Sequence, residues 1–362
     1  MDLLSITTFV LGLVLLTGGA ELMVRGAARL AGVLRISPVV VGLTIVAYGT
    51  SAPELAVSVH SAFAGKGDIA LGNVVGSNIF NILFILGLSA VVSPLVVSYQ
   101  LIRLDVPLMI IISVVMTLMA LDGTIGHIDG ALLVASLIIY TVWSIRQSRK
   151  EQKEVEAQYE REYGVPKGKE KTNIALQCAF VVVGVGLLVL GSQWLVDGAT
   201  TIARTLGVSE LIIGLTIIAA GTSLPEVATS IVASIRGERD IAVGNVVGSN
   251  IFNILSVLGM SSLVAPGGVN VPQAALTFDI PVMLAASIAC LPVFFHESQI
   301  NRWEGGVFLG YYCAYAAYLI LDTTGHEYLP YFSLVMLGFV VPLTVLTLLV
   351  VLLRSRTKRD RR

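Results

Sequence analysis

Two glutamates stand in the middle of otherwise apolar sequence. Gly-Thr-Ser-Ala-Pro-Glu occupies 49–54 and Gly-Thr-Ser-Leu-Pro-Glu occupies 221–226, each within a run long enough to cross a bilayer. A carboxylate at bilayer depth is costly, and by default it marks a functional site. Thr50 and Ser51 precede Glu54 by four and three residues, spacings that share one face of a helix. Thr222 and Ser223 stand in the same relation to Glu226. Pro53 lacks an N–H and obstructs the carbonyl four residues back, so backbone oxygens from Ala47 to Thr50 are expected to be freed; Pro225 does the same from Ala219 to Thr222. The competing reading of each proline is a packing kink.

A second polar pattern follows each glutamate. Gly-Asn-Val-Val-Gly-Ser-Asn-Ile-Phe-Asn-Ile-Leu appears at 72–83 and again at 244–255. Ser77 and Asn81 lie four apart on one helical face, as do Ser249 and Asn253. Their symmetry favours an ion-binding role. For Asn73, Asn78, Asn245 and Asn250, hydrogen bonding between helices is an equal alternative. Gly72, Gly76, Gly244 and Gly248 permit close helix approach.

All these donors are oxygens, with no His or Cys beside them. Hard cations such as Ca²⁺ or Na⁺ suit such a set; zinc or copper would want nitrogen or sulfur. Two carboxylates balance one Ca²⁺ or two Na⁺. A pocket that both ions compete for is the chemistry of exchange. The three cysteines, Cys178, Cys290 and Cys313, have no metal-ligand spacing and read as small core residues.

The elements that must carry these groups are membrane helices. Of 362 residues 55% are hydrophobic and 13% charged, with mean hydropathy +0.85, against about 25% charged residues in soluble domains. Spans are expected at 3–32, 37–63, 69–92, 104–121, 127–145, 174–204, 210–235, 241–264, 276–295, 303–321 and 331–353, all helical because backbone in lipid must satisfy its own hydrogen bonds. The first run lacks a basic flank and a cleavage site, and so reads as a retained span. A charged stretch at 146–172 reads as a solvated linker. If it is cytoplasmic, 21 of the 23 Lys and Arg lie on that side. This bias puts the N-terminus outside and the C-terminus in the cytoplasm.

An offset of 172 superimposes the halves: 68–94 and 240–266 agree at 20 of 27 positions. The division is 1–145, a first repeat of five helices; 146–172, the linker; 173–321, a second repeat of five; and 322–362, an eleventh helix with a basic tail. The first repeat begins outside and the second inside, so they insert oppositely. Arg25 aligns with Asp197, a charge reversed where the side is reversed. Inverted repeats give secondary transporters two interchangeable routes to a midplane site.

With the paired Gly-Thr-Ser-x-Pro-Glu and Gly-Asn-x-x-Gly-Ser-Asn motifs, residues 1–321 resemble the prokaryotic sodium/calcium exchanger family of the cation/Ca²⁺ antiporter superfamily. The resemblance implies a ten-helix inverted-repeat core in a prokaryotic inner membrane. It implies Ca²⁺ between Glu54 and Glu226, helped by Thr50 and Thr222. It implies Na⁺ sites drawing on Ser51, Ser77, Ser223, Ser249 and the carbonyls of Ala47 and Ala219. The first and sixth spans would slide across the rest. The ions are cargo, no cofactor is expected, the bilayer is the partner, and nothing suggests nucleic acid.

Some relatives carry Asp where this chain has Asn81 and Asn253, which argues against potassium cotransport and leaves proton participation open. Proton-coupled calcium exchangers typically place an acid where Gly76 and Gly248 stand. The alternative to Na⁺/Ca²⁺ exchange is H⁺-coupled exchange of Ca²⁺ or another divalent ion. An intramembrane hydrolase using Ser51 or Ser223 ranks last, since no His or Lys is spaced to activate them. Asp105, Asp122, Asp129 and Asp279 read as solvated or interfacial. Tyr140, Trp143, Trp303 and Tyr331 read as interfacial anchors.

Overall fold

The computed structural model describes residues 3–163, 173–206, 213, 217, 219–295 and 298–344. Its architecture is helical. In chain order come α1 (Leu3–Leu34), α2 (Pro38–Thr50), α3 (Ala52–Phe63), α4 (Gly67–Val92), α5 (Leu101–Asp122) and α6 (His127–Tyr163). Then follow α7 (Ile174–Thr205), α8 (Leu224–Ile235), α9 (Arg239–Val264), α10 (Ala275–Phe295), α11 (Arg302–Thr323) and α12 (Leu329–Thr344). Two-residue strands β1 (Leu95–Val96), β2 (Thr124–Ile125), β3 (Val269–Asn270) and β4 (Gln299–Ile300) tie loops together.

Among the described residues seven helices are long and apolar enough to cross a membrane, or eight with α2 and α3 taken as one span bent by 49°. Eleven spans were expected. The stretch around 210–235 contributes α8, with part of it outside the described residues. The expected span at 331–353 contributes α12 up to Thr344, and the rest, with the basic tail, lies outside the described residues. α11 has 22 residues, but four tyrosines dilute its apolar character. The first part of the expected linker is helical: α6 runs on to Tyr163 without a break.

The two halves run in opposite directions. A Cβ on Gly12 would lie 2.9 Å from the Gly191 carbonyl, one on Gly19 would lie 2.8 Å from that of Gly184, and one on Gly26 would lie 2.9 Å from that of Gln177. Partner numbers fall as those of α1 rise, so α1 and α7 are antiparallel and touch backbone to backbone where glycine leaves room. The strands follow the same exchange. β1 pairs with β4 and β2 with β3, both antiparallel, although β1 corresponds to β3 and β2 to β4 in the repeat.

At the centre lie the helices that carry the Gly-Asn-x-x-Gly-Ser-Asn pattern. The apolar window of α9 is 100% buried and that of α4 78%, against 28% for α1 and for α7. The peripheral helices turn apolar side chains outward, with Val14 61%, Ile139 69% and Val182 70% exposed, the surface that lipid covers. This corrects the reading of the cysteines. Cys290 is buried, but Cys178 and Cys313 are exposed, because an apolar neighbourhood in a membrane protein can be lipid rather than core.

Candidate functional site

Both glutamates sit just past a break in the helix. Ser37 caps α2, its Oγ accepting from the Val40 N–H. The helix stops at Thr50, Ser51 takes φ −82° and ψ 10°, and α3 begins with Pro53 in its first turn. In the second half Ser223 takes φ −91° and ψ 6° before α8, with Pro225 in the first turn. Proline is tolerated at a helix start, where its missing N–H has no partner to lose. Glu54 and Glu226 therefore project from first turns, each 1% exposed. The Ala47 carbonyl is less free than expected: it accepts from the Ser51 N–H at 3.0 Å and, more weakly, from Thr50 Oγ1 at 3.4 Å.

The acids are bonded crosswise. Ser51 Oγ donates to Glu226 Oε1 at 2.8 Å, and Ser223 Oγ donates to Glu54 Oε1 at 2.9 Å. Each glutamate is thus held by the serine that precedes the other glutamate. Ser223 Oγ also lies 3.2 Å from Ser77 Oγ. Thr50 Oγ1 donates to Asn245 Oδ1 at 3.2 Å, and Thr222 Oγ1 to Asn73 Oδ1 at 3.5 Å. Asn245 Nδ2 donates to Ser230 Oγ and Asn73 Nδ2 to Ser58 Oγ, at 3.0 and 2.9 Å. Ser58 and Ser230 went unremarked in the sequence, although they obey the same offset.

One layer on, Asn81 Nδ2 donates to Asn250 Oδ1 at 3.0 Å and Asn253 Nδ2 to Asn78 Oδ1 at 3.1 Å. Asn78 and Asn250 thus bridge α4 and α9. Asn81 lies in a π-helical turn (Phe80–Leu86) and Asn253 opens another (Asn253–Leu258). Such turns insert an extra residue into a helix and recur at functional sites.

What these bonds leave over is mostly acceptor. Glu54 Oε2, Glu226 Oε2, Asn81 Oδ1, Asn253 Oδ1 and Ser249 Oγ are buried with no hydrogen-bond partner. The other unpartnered buried atoms include the hydroxyls of Ser89, Ser144, Thr200, Thr229 and Ser261. A hydroxyl can rotate toward a backbone carbonyl, but a carboxylate oxygen has no proton to offer. Unsatisfied carboxylate oxygens in a buried site are costly unless a cation meets them. Among the described residues no group of three or more His, Cys, Asp or Glu side chains could hold a metal, so these two acids with neutral oxygens are the set to consider. The Ala219 carbonyl has no described contact with them.

Two sequence readings are corrected. Asp105 is wholly buried rather than solvated; its Oδ1 accepts from the Tyr140 hydroxyl at 3.1 Å and its Oδ2 from Gln100 Nε2 at 3.2 Å. Tyr140 is consequently a buried partner, 7% exposed, and not an interfacial anchor. Half-buried Asp279 repeats the arrangement, accepting from the Tyr315 hydroxyl at 2.9 Å. Trp143, Trp303 and Tyr331 are exposed, as anchors would be, and so is Asp122, while Asp129 is intermediate.

Oppositely directed halves around a buried, oxygen-only, two-carboxylate centre are an arrangement suited to carrying cations. The profile of the sodium/calcium exchanger protein family matches residues 4–146 and 176–321, and the chain belongs to that family. It is 40% identical over 327 residues to a putative antiporter, CaxA, of Alkalimonas amylolytica, covering 89% of this chain and 100% of that one. It is 31% identical over 339 residues to the sodium/calcium exchanger MaX1 of Methanosarcina acetivorans, covering 85% and 96%. A solved structure of the sodium-calcium exchanger NCX_Mj superimposes with TM-score 0.75 at 31% identity, covering 88% of this chain and all of that one.

Proposed function

We propose that this protein exchanges Na⁺ for Ca²⁺ across the prokaryotic inner membrane by alternating access to one shared site, with its N-terminus outside and its C-terminus in the cytoplasm. The reading is carried by the leftover acceptors: Glu54 Oε2, Glu226 Oε2, Asn81 Oδ1 and Asn253 Oδ1, buried, unpartnered and symmetric. Two carboxylates balance one Ca²⁺ or two Na⁺, so either load leaves the site neutral and movable through lipid. Thr50, Thr222, Ser51, Ser223, Ser77 and Ser249 offer hydroxyl oxygens, and the Ala47 and Ala219 carbonyls offer backbone oxygens, for the monovalent ions. Exchange follows because one pair of acids serves both cargoes. The relatives named as a sodium/calcium exchanger and an antiporter support the cargo and the mode.

The test is ⁴⁵Ca²⁺ uptake into proteoliposomes loaded with Na⁺, compared with liposomes carrying a pH gradient alone. Uptake is expected from the Na⁺ gradient; uptake driven by the pH gradient and indifferent to Na⁺ would replace this reading with proton coupling. Glu54→Gln and Glu226→Gln should each abolish exchange. Normal Ca²⁺ flux in either would remove that carboxylate from the site.

A further inference from the structure

The repeat makes the two ends of the site equivalent in sequence register, yet the structure makes them different. Away from the linker, a cavity of about 350 Å³ opens along α7 and is lined by Ser192, Gln193, Val196, Asp197, Gly221 and Thr222. Thr222, one of its lining residues, precedes Ser223, the donor to Glu54. Moved by 172, those six positions become Ala20, Glu21, Val24, Arg25, Gly49 and Thr50. They lie toward the linker end, because Gly26 of α1 faces Gln177, near the start of α7.

There the equivalent space is closed in two ways. Glu21 Oε1 lies 2.5 Å from Arg25 Nε. Both Glu21 oxygens also take the guanidinium of Arg236, which caps the C-terminal end of α8. Beneath this cluster Met23 and Val185 press on Gly49, where a Cβ would sit 2.8 Å from Met23 Cε and 2.8 Å from Val185 Cγ2. At Gly221 the three nearest atoms to such a Cβ, among the described residues, all belong to Val196, the closest at 2.8 Å. The ion cluster has no counterpart at the other end: Glu21 corresponds to Gln193, Arg25 to Asp197, and Arg236 to Ala64.

We infer that Glu21, Arg25 and Arg236 form a gate across the linker-side route to the Glu54–Glu226 site, and that Gln193 and Asp197 line the open route from the opposite side. The gate ties α1, which with α7 forms the outer, antiparallel pair, to α8, which carries Glu226. The pair must separate for the site to open toward the linker. One carboxylate among two guanidinium groups leaves this cluster net positive, unfavourable to cations, whereas Asp197 places a negative charge along the opposite route. Glu21 is 28% exposed and Arg236 37%. Pairs this exposed are weak, so the gate can open thermally in each cycle. This inference rests on the alternating-access reading above, but its test does not depend on transport.

In a background carrying Cys178→Ser and Cys313→Ser, Ala20→Cys and Gln193→Cys are labelled separately with a membrane-impermeant thiol reagent from each side of sealed vesicles. Ala20 corresponds to Ser192, so a side chain of that size suits the position. Gln193→Cys should react from the side away from the linker, and Ala20→Cys should be protected. Adding Glu21→Gln or Arg236→Gln should raise Ala20→Cys labelling from the linker side at least tenfold and lower that of Gln193→Cys. The double variant should exceed neither single one, since both break the same pair; general loosening would add instead. Unchanged protection of Ala20→Cys, or additive effects, overturns the gate. Glu54→Gln tested in the same background should lose uptake and keep the labelling pattern, which separates failure of the site from failure of the gate.

Discussion

Glu54 and Glu226 each give one oxygen to a serine of the other half and keep one unpartnered. Ser51 and Ser223 therefore do more than line the pocket: they hold the carboxylates in position. A hydrogen bond to a charged group contributes about 1.5–3 kcal/mol. Ser51→Ala and Ser223→Ala should each weaken Ca²⁺ binding by roughly tenfold to a hundredfold. Binding titrations in detergent would measure this, and the symmetry requires similar losses from both; a loss confined to one would break the equivalence of the two acids. The serine, threonine and glutamate positions were legible because polar residues in an apolar run need a reason. The crosswise bonding was not legible, since spacing along one helix suggests that Ser51 serves Glu54. Asp105 was misread for a related reason. Sequence places it near a span end, but only packing shows that Tyr140 and Gln100 enclose it.

Among the helices, what the sequence hid is local geometry rather than existence. The π-helical turns at Phe80–Leu86 and Asn253–Leu258 leave no mark in apolar periodicity, yet they decide where Asn81 and Asn253 point. Strand pairing adds a constraint of its own. β2 and β3 share a side of the membrane, and α6, α7 and α9 supply three crossings between them, so α8 must belong to a fourth. The expected span around 210–235 has that physical support, short as α8 is. The α1–α7 contact depends on bare backbone: a Cβ on Gly191 would lie 2.5 Å from Leu16 N. Overpacking costs about 1–3 kcal/mol, so Gly191→Val should lower the melting temperature in detergent. Gly18→Val should not, because nothing lies within 4 Å of a Cβ there. Equal melting of the two variants would mean that the glycine contact is not what holds the pair.

For the molecule as a whole, the two family-matched blocks, 4–146 and 176–321, leave the charged stretch between them unmatched. The contacts described for the site run through α2, α3, α4, α8 and α9. A chain cut within 164–172 and expressed as two pieces should therefore reassemble and transport Ca²⁺ in the same liposome assay, whereas neither piece alone should. Failure of the paired pieces, with both present in the membrane, would give the connection a role beyond tethering. The duplication and the family were legible, because polar residues recurred at one offset through apolar sequence. The inequality of the two ends was not, because it depends on side chains that the repeat does not share.

The crosswise serine–glutamate bonds carry a historical implication. Neither half can satisfy its own acid, so a half-length ancestor would have needed a second copy lying upside down beside it. Such a gene product would have had to enter the membrane in both orientations and pair with itself. Fusion then freed the two faces to diverge. The nearly unchanged 68–94 and 240–266 stretches fit what such pairing demands, and Glu21 and Arg25 against Gln193 and Asp197 are positions where the two ends differ.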